Sequence, residues 1–270
     1  MKKIFILFLL LSTILLSVTL NKEEFERIKN ACNIGDLSSC VSVGVVYYNG
    51  MGIKKDYIKA FEYYQKGCNL NDVGYRPIYV DGCVSLGEMF FSGNGVEQDY
   101  VKAVKYFQWS CDGDNALGCQ SLGYMYLEGK GTQLNLLKAF EYYEKACDAG
   151  AIDSCQFLGF RYAKGDRVKQ DNTKAVKYFQ KACYGNSATS CYNVGRLYFI
   201  GKGIKQDYSK GIVYLQKACD GGLTTSCSYL GALYYQGKDI EKNHVKAKEL
   251  FKKACDLKDH ESCILYKEII

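Results

Sequence analysis

Two kinds of amphipathic segment alternate along the chain. In the first, apolar or small residues recur at offsets 3, 4, 7 and 8 from a cysteine, as in Cys40-Val-Ser-Val-Gly44-Val-Val-Tyr47-Tyr48, Cys119-Gln-Ser-Leu-Gly123-Tyr-Met-Tyr126-Leu127 and Cys191-Tyr-Asn-Val-Gly195-Arg-Leu-Tyr198-Phe199. That spacing is one face of a helix, termed helix A. Its recurring glycine (Gly44, Gly87, Gly123, Gly159, Gly195, Gly231) is a poor helix former and marks a place where another helix packs close. Glycines then supply the C-terminal stop at Gly50, Gly93, Gly129, Gly165, Gly201 and Gly237. The second kind, helix B, starts after the N-cap residues Asp56, Asp99, Asn135, Asp171, Asp207 and Asn243. Within it Ala60, Tyr63, Tyr64 and Gly67 set a spacing repeated by Ala103, Tyr106, Phe107 and Ser110 and by Ala175, Tyr178, Phe179 and Ala182. Small and large residues alternate there, so that helices interlock. Lys59, Lys102, Lys138, Lys174, Lys210 and Lys246 hold one position that reads as a solvated face beside a buried alanine.

These segments predict an all-α chain. A lone helix B falls within residues 20–36, six complete pairs within 37–259, and a lone helix A within 260–270. Short connections make paired helices antiparallel. Stacked pairs bury one continuous core and curve into an α/α solenoid with a concave side.

The cysteines carry the same period. They fall at Cys32, Cys40, Cys68, Cys83, Cys111, Cys119, Cys147, Cys155, Cys183, Cys191, Cys219, Cys227, Cys255 and Cys263, with gaps alternating between 8 and 28 except for 15 between Cys68 and Cys83. The sum of 36 lies in the range of repeat arrays. Joining cysteines 28 apart would strand Cys32 and Cys263, whereas the shorter pairing uses all fourteen. Residues eight apart in one helix stand about 12 Å from each other, beyond the ~7 Å Cα limit of a disulfide. Each bridge must therefore cross a turn between two helices. Metal binding is not expected: zinc sites favour ligands 2 to 4 residues apart, no C-x-x-C occurs, and His244 and His260 are the only histidines.

The first residues change the compartment. Lys2 and Lys3, an apolar run from Ile4 to Leu16 and the small residues Ser17 and Thr19 read as a secretory signal peptide over 1–19. An even cysteine count behind such a leader means disulfides in the periplasm or the medium. No later run reaches the ~20 apolar residues of a bilayer helix, so no membrane span is expected after cleavage. The formal charge of +6 is interspersed with acids throughout, which is no nucleic-acid footprint.

The order of helix A leucine or valine, glycine and tyrosine, loop glycines, Asp, then Lys-Ala and a tyrosine pair resembles the Sel-one-like repeat. With a cysteine pair every 36 residues, nearly the whole mature chain resembles the cysteine-rich Hcp-type secreted bacterial proteins. The resemblance implies a right-handed superhelix related to tetratricopeptide arrays and a role in protein recognition. It also implies penicillin binding and weak β-lactam hydrolysis, with a β-lactam or cell-wall fragment as ligand. Arg167 and Asp239 depart from the pattern at the second loop glycine, and Gly211 at the helix B alanine.

The residues themselves supply no catalytic motif for that hydrolysis. S-x-x-K, S-D-N and K-T-G are all missing; Lys130-Gly131-Thr132 has the wrong order. Bridged cysteines are not nucleophiles, and no cofactor is expected. A binding face is better supported. At helix A offsets 1, 5 and 9 the repeats stop agreeing: Gln120, Tyr124 and Glu128; Gln156, Phe160 and Lys164; Tyr192, Arg196 and Ile200. Variation on one face of a fixed scaffold suits recognition, and aromatic and Arg side chains dominate binding hot spots. The candidate face is thus Gln120, Tyr124, Gln156, Phe160, Lys164, Tyr192 and Arg196, on the side expected to be concave. The expected partner is a protein or peptide of a host or of the cell envelope, bound by a monomer. The stretch from Asn69 to Gly82, with Tyr75, Arg76, Pro77 and Tyr79, lengthens one turn by seven residues, an insertion of a kind that is usually simply tolerated and otherwise carries function.

Overall fold

The structure is a computed structural model that describes residues 21–68 and 80–269. The leader and most of the Asn69 to Gly82 insertion lie outside the described residues. Among them the chain is all-helical, with fourteen α-helices and no strand, and it divides into two compact units at Ala139/Phe140.

The first unit contains α1 (Lys22–Asn33), α2 (Leu37–Asn49), α3 (Tyr57–Gly67), α4 (Asp81–Ser92), α5 (Tyr100–Asp112), α6 (Ala116–Glu128) and the start of α7 (Leu136–Asp148). The second holds the rest of α7, then α8 (Ile152–Lys164), α9 (Asn172–Tyr184), α10 (Ala188–Ile200), α11 (Tyr208–Asp220), α12 (Thr224–Gln236), α13 (His244–Asp256) and α14 (His260–Glu268). Even-numbered helices are the A type and odd-numbered ones the B type.

Local chemistry sets these boundaries. Oδ1 of Asp56, Asp99, Asn135, Asp171, Asp207 and Asn243 accepts from the backbone N–H three residues on, at 2.9 to 3.0 Å, so every complete helix B starts on a satisfied cap. Helix A ends where the chain turns left-handed, for example at Gly165 with φ 71°.

Seven disulfides join consecutive helices across the turns. Cys32–Cys40, Cys68–Cys83 and Cys111–Cys119 belong to the first unit, and Cys147–Cys155, Cys183–Cys191, Cys219–Cys227 and Cys255–Cys263 to the second. Their Cα atoms stand 4.4 to 4.7 Å apart, so each bridge clamps the end of a helix B to the start of the next helix A. In the chain-entropy account an eight-residue loop contributes about 2 to 3 kcal/mol.

Inside each pair, the helix A glycine admits a bulky helix B side chain. A β-carbon at Gly44 would meet the Tyr64 ring at 2.5 Å, and one at Gly159 the Phe179 ring at 2.6 Å. Tyr64 and Phe179 are in turn buried. Small residues also meet beside the bridges. A β-carbon on Gly118 would lie 2.5 Å from Ser110 Cβ, where later repeats have alanine on helix B and serine on helix A, as in Ala182 with Ser190.

Candidate binding face

In the first unit Tyr124 is half-buried and meets Phe91 edge-on, with ring centroids 6.1 Å apart. Phe91 in turn lies 5.4 Å from Tyr100, the first residue of α5. The ammonium of Lys130 sits over all three rings, 4.9 Å from Phe91 and 5.4 Å from both Tyr100 and Tyr124. It makes no ion pair among the described residues. Gln120, one turn earlier on α6, is half-buried.

The second unit separates its candidates. Gln156 is drawn into a seam with the next helix A: its Oε1 accepts from Ser187 Oγ at 2.7 Å and from Ser190 Oγ at 3.5 Å. Phe160 leans edge-on against buried Phe179 at 5.0 Å. Lys164 is exposed at the end of α8. Tyr192 and Arg196 form one group, the guanidinium 5.6 Å above the Tyr192 ring while that ring meets Tyr229 edge-on at 6.0 Å. Arg196 itself is exposed. Phe160, Tyr192 and Arg196 therefore present held, partly open surface, whereas Gln156 carries packing.

Sequence reasoning missed residues that complete these groups. Tyr48, Phe91 and Phe199, at offset 8 of helix A, each pack on the first residue of helix B, with Tyr48–Tyr57 at 5.1 Å, Phe91–Tyr100 at 5.4 Å and Phe199–Tyr208 at 5.3 Å. The signal was present as an aromatic eight residues past a cysteine and another directly after a cap. Glu88 was missed too, though it holds offset 5 from Cys83 and is thus the second repeat's equivalent of Tyr124. Burial raises its carboxyl from the ordinary range to about 7. Burial likewise pushes the phenols of Tyr48 and Tyr64 up, with Glu88 adding to both shifts.

The helix B lysines do more than solvate a surface. Each ammonium lies 4.9 to 5.8 Å from the centroid of the helix A aromatic at offset 7, pairing Lys59 with Tyr47, Lys102 with Phe90, Lys138 with Tyr126, Lys174 with Tyr162, Lys210 with Tyr198 and Lys246 with Tyr234. An exposed cation–π contact of this kind is worth about 0.5 to 1 kcal/mol. A shallow concavity of about 330 Å³ lies elsewhere, lined by His244, Val245, Lys248, Glu249, Lys252, Tyr266 and Ile269, and holds none of the candidate residues.

Among the described residues no three His, Cys, Asp or Glu side chains are grouped to hold a metal, and no cysteine is free. Seven disulfides fit an oxidising extracellular or periplasmic environment. No described helix is long and apolar enough to cross a membrane.

A stack of cross-linked helix pairs with a varied, partly aromatic helix A face defines a repeat scaffold. The Sel1 repeat profile matches residues 37–72, 80–115, 116–150, 152–187, 188–223 and 224–259, and the chain belongs to the Sel1 repeat family. Such repeats serve protein–protein interaction. The fold is similar to that of a protective antigen present in uropathogenic Escherichia coli strains, at 23% identity and a TM-score of 0.73 over 90% of this chain. The chain spans 50% of that longer structure. It is also similar to a Sel1 repeat protein from Oxalobacter formigenes, at 23% identity and a TM-score of 0.56, covering 87% of each chain. Cysteine rich protein B of Helicobacter pylori is 33% identical over 51% of this chain and 98% of its own, with a TM-score of 0.38. No curated protein matches significantly.

Proposed function

We propose that this protein is an exported scaffold that recognises a protein or peptide, of a host or of the cell envelope, on its helix A face. The observation that carries the reading is the Tyr192–Arg196 group: an exposed guanidinium held 5.6 Å over a half-buried aromatic ring, at offsets where successive repeats differ. Aromatic and Arg side chains positioned before binding lose little conformational entropy on contact, which is how such residues become hot spots. Tyr124 and Phe160 add held aromatic surface at the equivalent place in two other repeats. The bridges support the same reading, because cross-linked helices keep a face in shape outside the cell.

The test is capture of partners by oxidised mature protein immobilised alongside a Tyr124→Ala, Phe160→Ala, Arg196→Ala variant. A protein bound by the first and lost from the second, with equal far-ultraviolet circular dichroism, supports the reading. Equal capture by both overturns the assignment of the face.

A further inference from the structure

Lys130 is held differently from the helix B lysines. Lys59, Lys102 and Lys138 each lie over a single ring. The Lys130 ammonium has three rings around it, supplied by the end of α4, the start of α5 and the middle of α6. It stands 4.9 Å from the centroid of Phe91 and 5.4 Å from those of Tyr100 and Tyr124. The Phe91 ring is inclined at 54° to Tyr100 and at 72° to Tyr124, so the three rings make walls about the cation and not a stack.

The preceding repeat shows what the same loop position does with a neutral residue. Asn94 lies between Gly93 and Gly95 as Lys130 lies between Gly129 and Gly131, and its Nδ2 donates to Tyr48 Oη at 2.8 Å. Asn94 thus closes its aromatic pair with a hydrogen bond, whereas Lys130 fills its rings with charge. The backbone beneath Lys130 is fixed: its N–H donates to Met125 O at 3.0 Å, and a β-carbon on Gly131 would stand 2.2 Å from Tyr100 O. Leaving the rings therefore takes rotation of one flexible side chain and no backbone movement. Lys130 and its three rings are each half-buried, so the ammonium has a path to water. A primary ammonium is strongly hydrated and gives up hydrogen bonds to water when it sits among rings. A trimethylammonium group has no N–H to leave unpaired, and quaternary ammonium is the cation that aromatic cages take.

We propose that Phe91, Tyr100 and Tyr124 form a cage for the trimethylammonium head of a zwitterionic ligand, a phosphocholine group, and that Lys130 is the resident cation this ligand displaces. Charge complementarity selects the zwitterion. Once displaced, the Lys130 ammonium stands at the rim on its own stem, and a second cation in the cage would repel it. A phosphate a few bonds from the quaternary nitrogen pairs with Lys130 and removes that conflict. Phosphocholine is a different class of ligand from a polypeptide partner, so its binding and the capture of a protein can fail separately.

The probes are phosphocholine and choline, with neohexyl alcohol, the isostere of choline that has carbon in place of nitrogen, as the uncharged control. Each is titrated into 13C-labelled, oxidised mature protein while the aromatic resonances are followed, those of Tyr124 being identified by their loss in Tyr124→Leu. The expected result is saturable binding in the millimolar range, phosphocholine about threefold to fivefold tighter than choline, and no shift with neohexyl alcohol. Lys130→Gln empties the cage, so choline should bind about fivefold tighter to it and the preference for phosphocholine should vanish. Tyr124→Leu should weaken both ammonium probes, whereas Tyr124→Phe, which keeps the ring, should bind as the parent does. Co-sedimentation with phosphatidylcholine vesicles separates a membrane headgroup from the free compound as the source. Neohexyl alcohol binding as well as choline, a phosphocholine preference unchanged in Lys130→Gln, or no saturable shift in either protein overturns the cage. Tighter binding of Nα-acetyl-trimethyl-lysine methylamide than of phosphocholine would overturn the zwitterion in favour of a methylated polypeptide.

Discussion

Phe179 lies across Gly159 so closely that a β-carbon there would stand 2.6 Å from its Cδ1. Phe179 is 1% exposed and has nowhere to withdraw. Gly159→Ala should therefore lower stability by about 1 to 3 kcal/mol through overpacking, despite the better helix propensity of alanine. Urea unfolding of the oxidised protein measures it. Stability equal to or above that of the parent would show that the pair is not the tight contact described.

Ser110 offers the opposite change. Its Oγ is buried and has no hydrogen-bond partner among the described residues, while the other repeats place a non-polar small residue at that position, as at Ala146 and Ala182. Removing the hydroxyl relieves an uncompensated desolvation, so Ser110→Ala should raise stability by about 1 kcal/mol. The midpoint of thermal unfolding reports it, and a fall on substitution would reveal a partner for the hydroxyl.

Much of the frame was readable from the sequence because it is local. The caps at Asp56 and Asp171 act three residues away, the stops at Gly50 and Gly165 act within one turn, and the cysteine pairs cross single turns. The lysines were read only as solvated because their rings belong to another helix: Lys174 and Tyr162 are twelve residues apart in the chain yet 4.9 Å apart in space. The engagement of Gln156 was hidden for the same reason, its acceptor being taken by Ser187 of the next helix A. Glu88 escaped notice because its burial is set by packing around α4 and not by its neighbours in the chain.

The burial of Glu88 fixes a pH dependence. Its folded pKa is raised from the ordinary carboxylate value to about 7, so the stability linked to the protonated form is complete below about pH 4.5 and is lost as pH rises through 7. The loss should be on the order of 2 kcal/mol between pH 5 and pH 8. Glu88→Gln, which stays neutral, should flatten that part of the profile. Parallel profiles for the two proteins, from urea midpoints across the range, would mean the carboxyl is solvated.

Hydrolysis of a β-lactam, implied by resemblance, has neither an S-x-x-K motif in the sequence nor, among the described residues, a metal-holding group behind it. A chromogenic β-lactam should be turned over by the purified mature protein no faster than in buffer. Turnover abolished by Arg196→Ala would instead place chemistry on the helix A face.

Lysines such as Lys174 carry a smaller, distributed effect. Lys174→Gln removes the cation from the Tyr162 ring and should cost about 0.5 to 1 kcal/mol, whereas Lys164→Gln, exposed at the end of α8, should be near neutral. Differences in urea midpoint resolve the two, and equal effects would assign the first lysine no role beyond solvation.

The whole frame depends on each helix B being tied to the following helix A, which peptide mapping of unreduced, alkylated protein tests most directly. The account predicts seven linked pairs from Cys32–Cys40 to Cys255–Cys263, Cys68–Cys83 among them, and no alkylated cysteine. Linkages between cysteines 28 apart, such as Cys155 with Cys183, or several alkylated thiols, would contradict it.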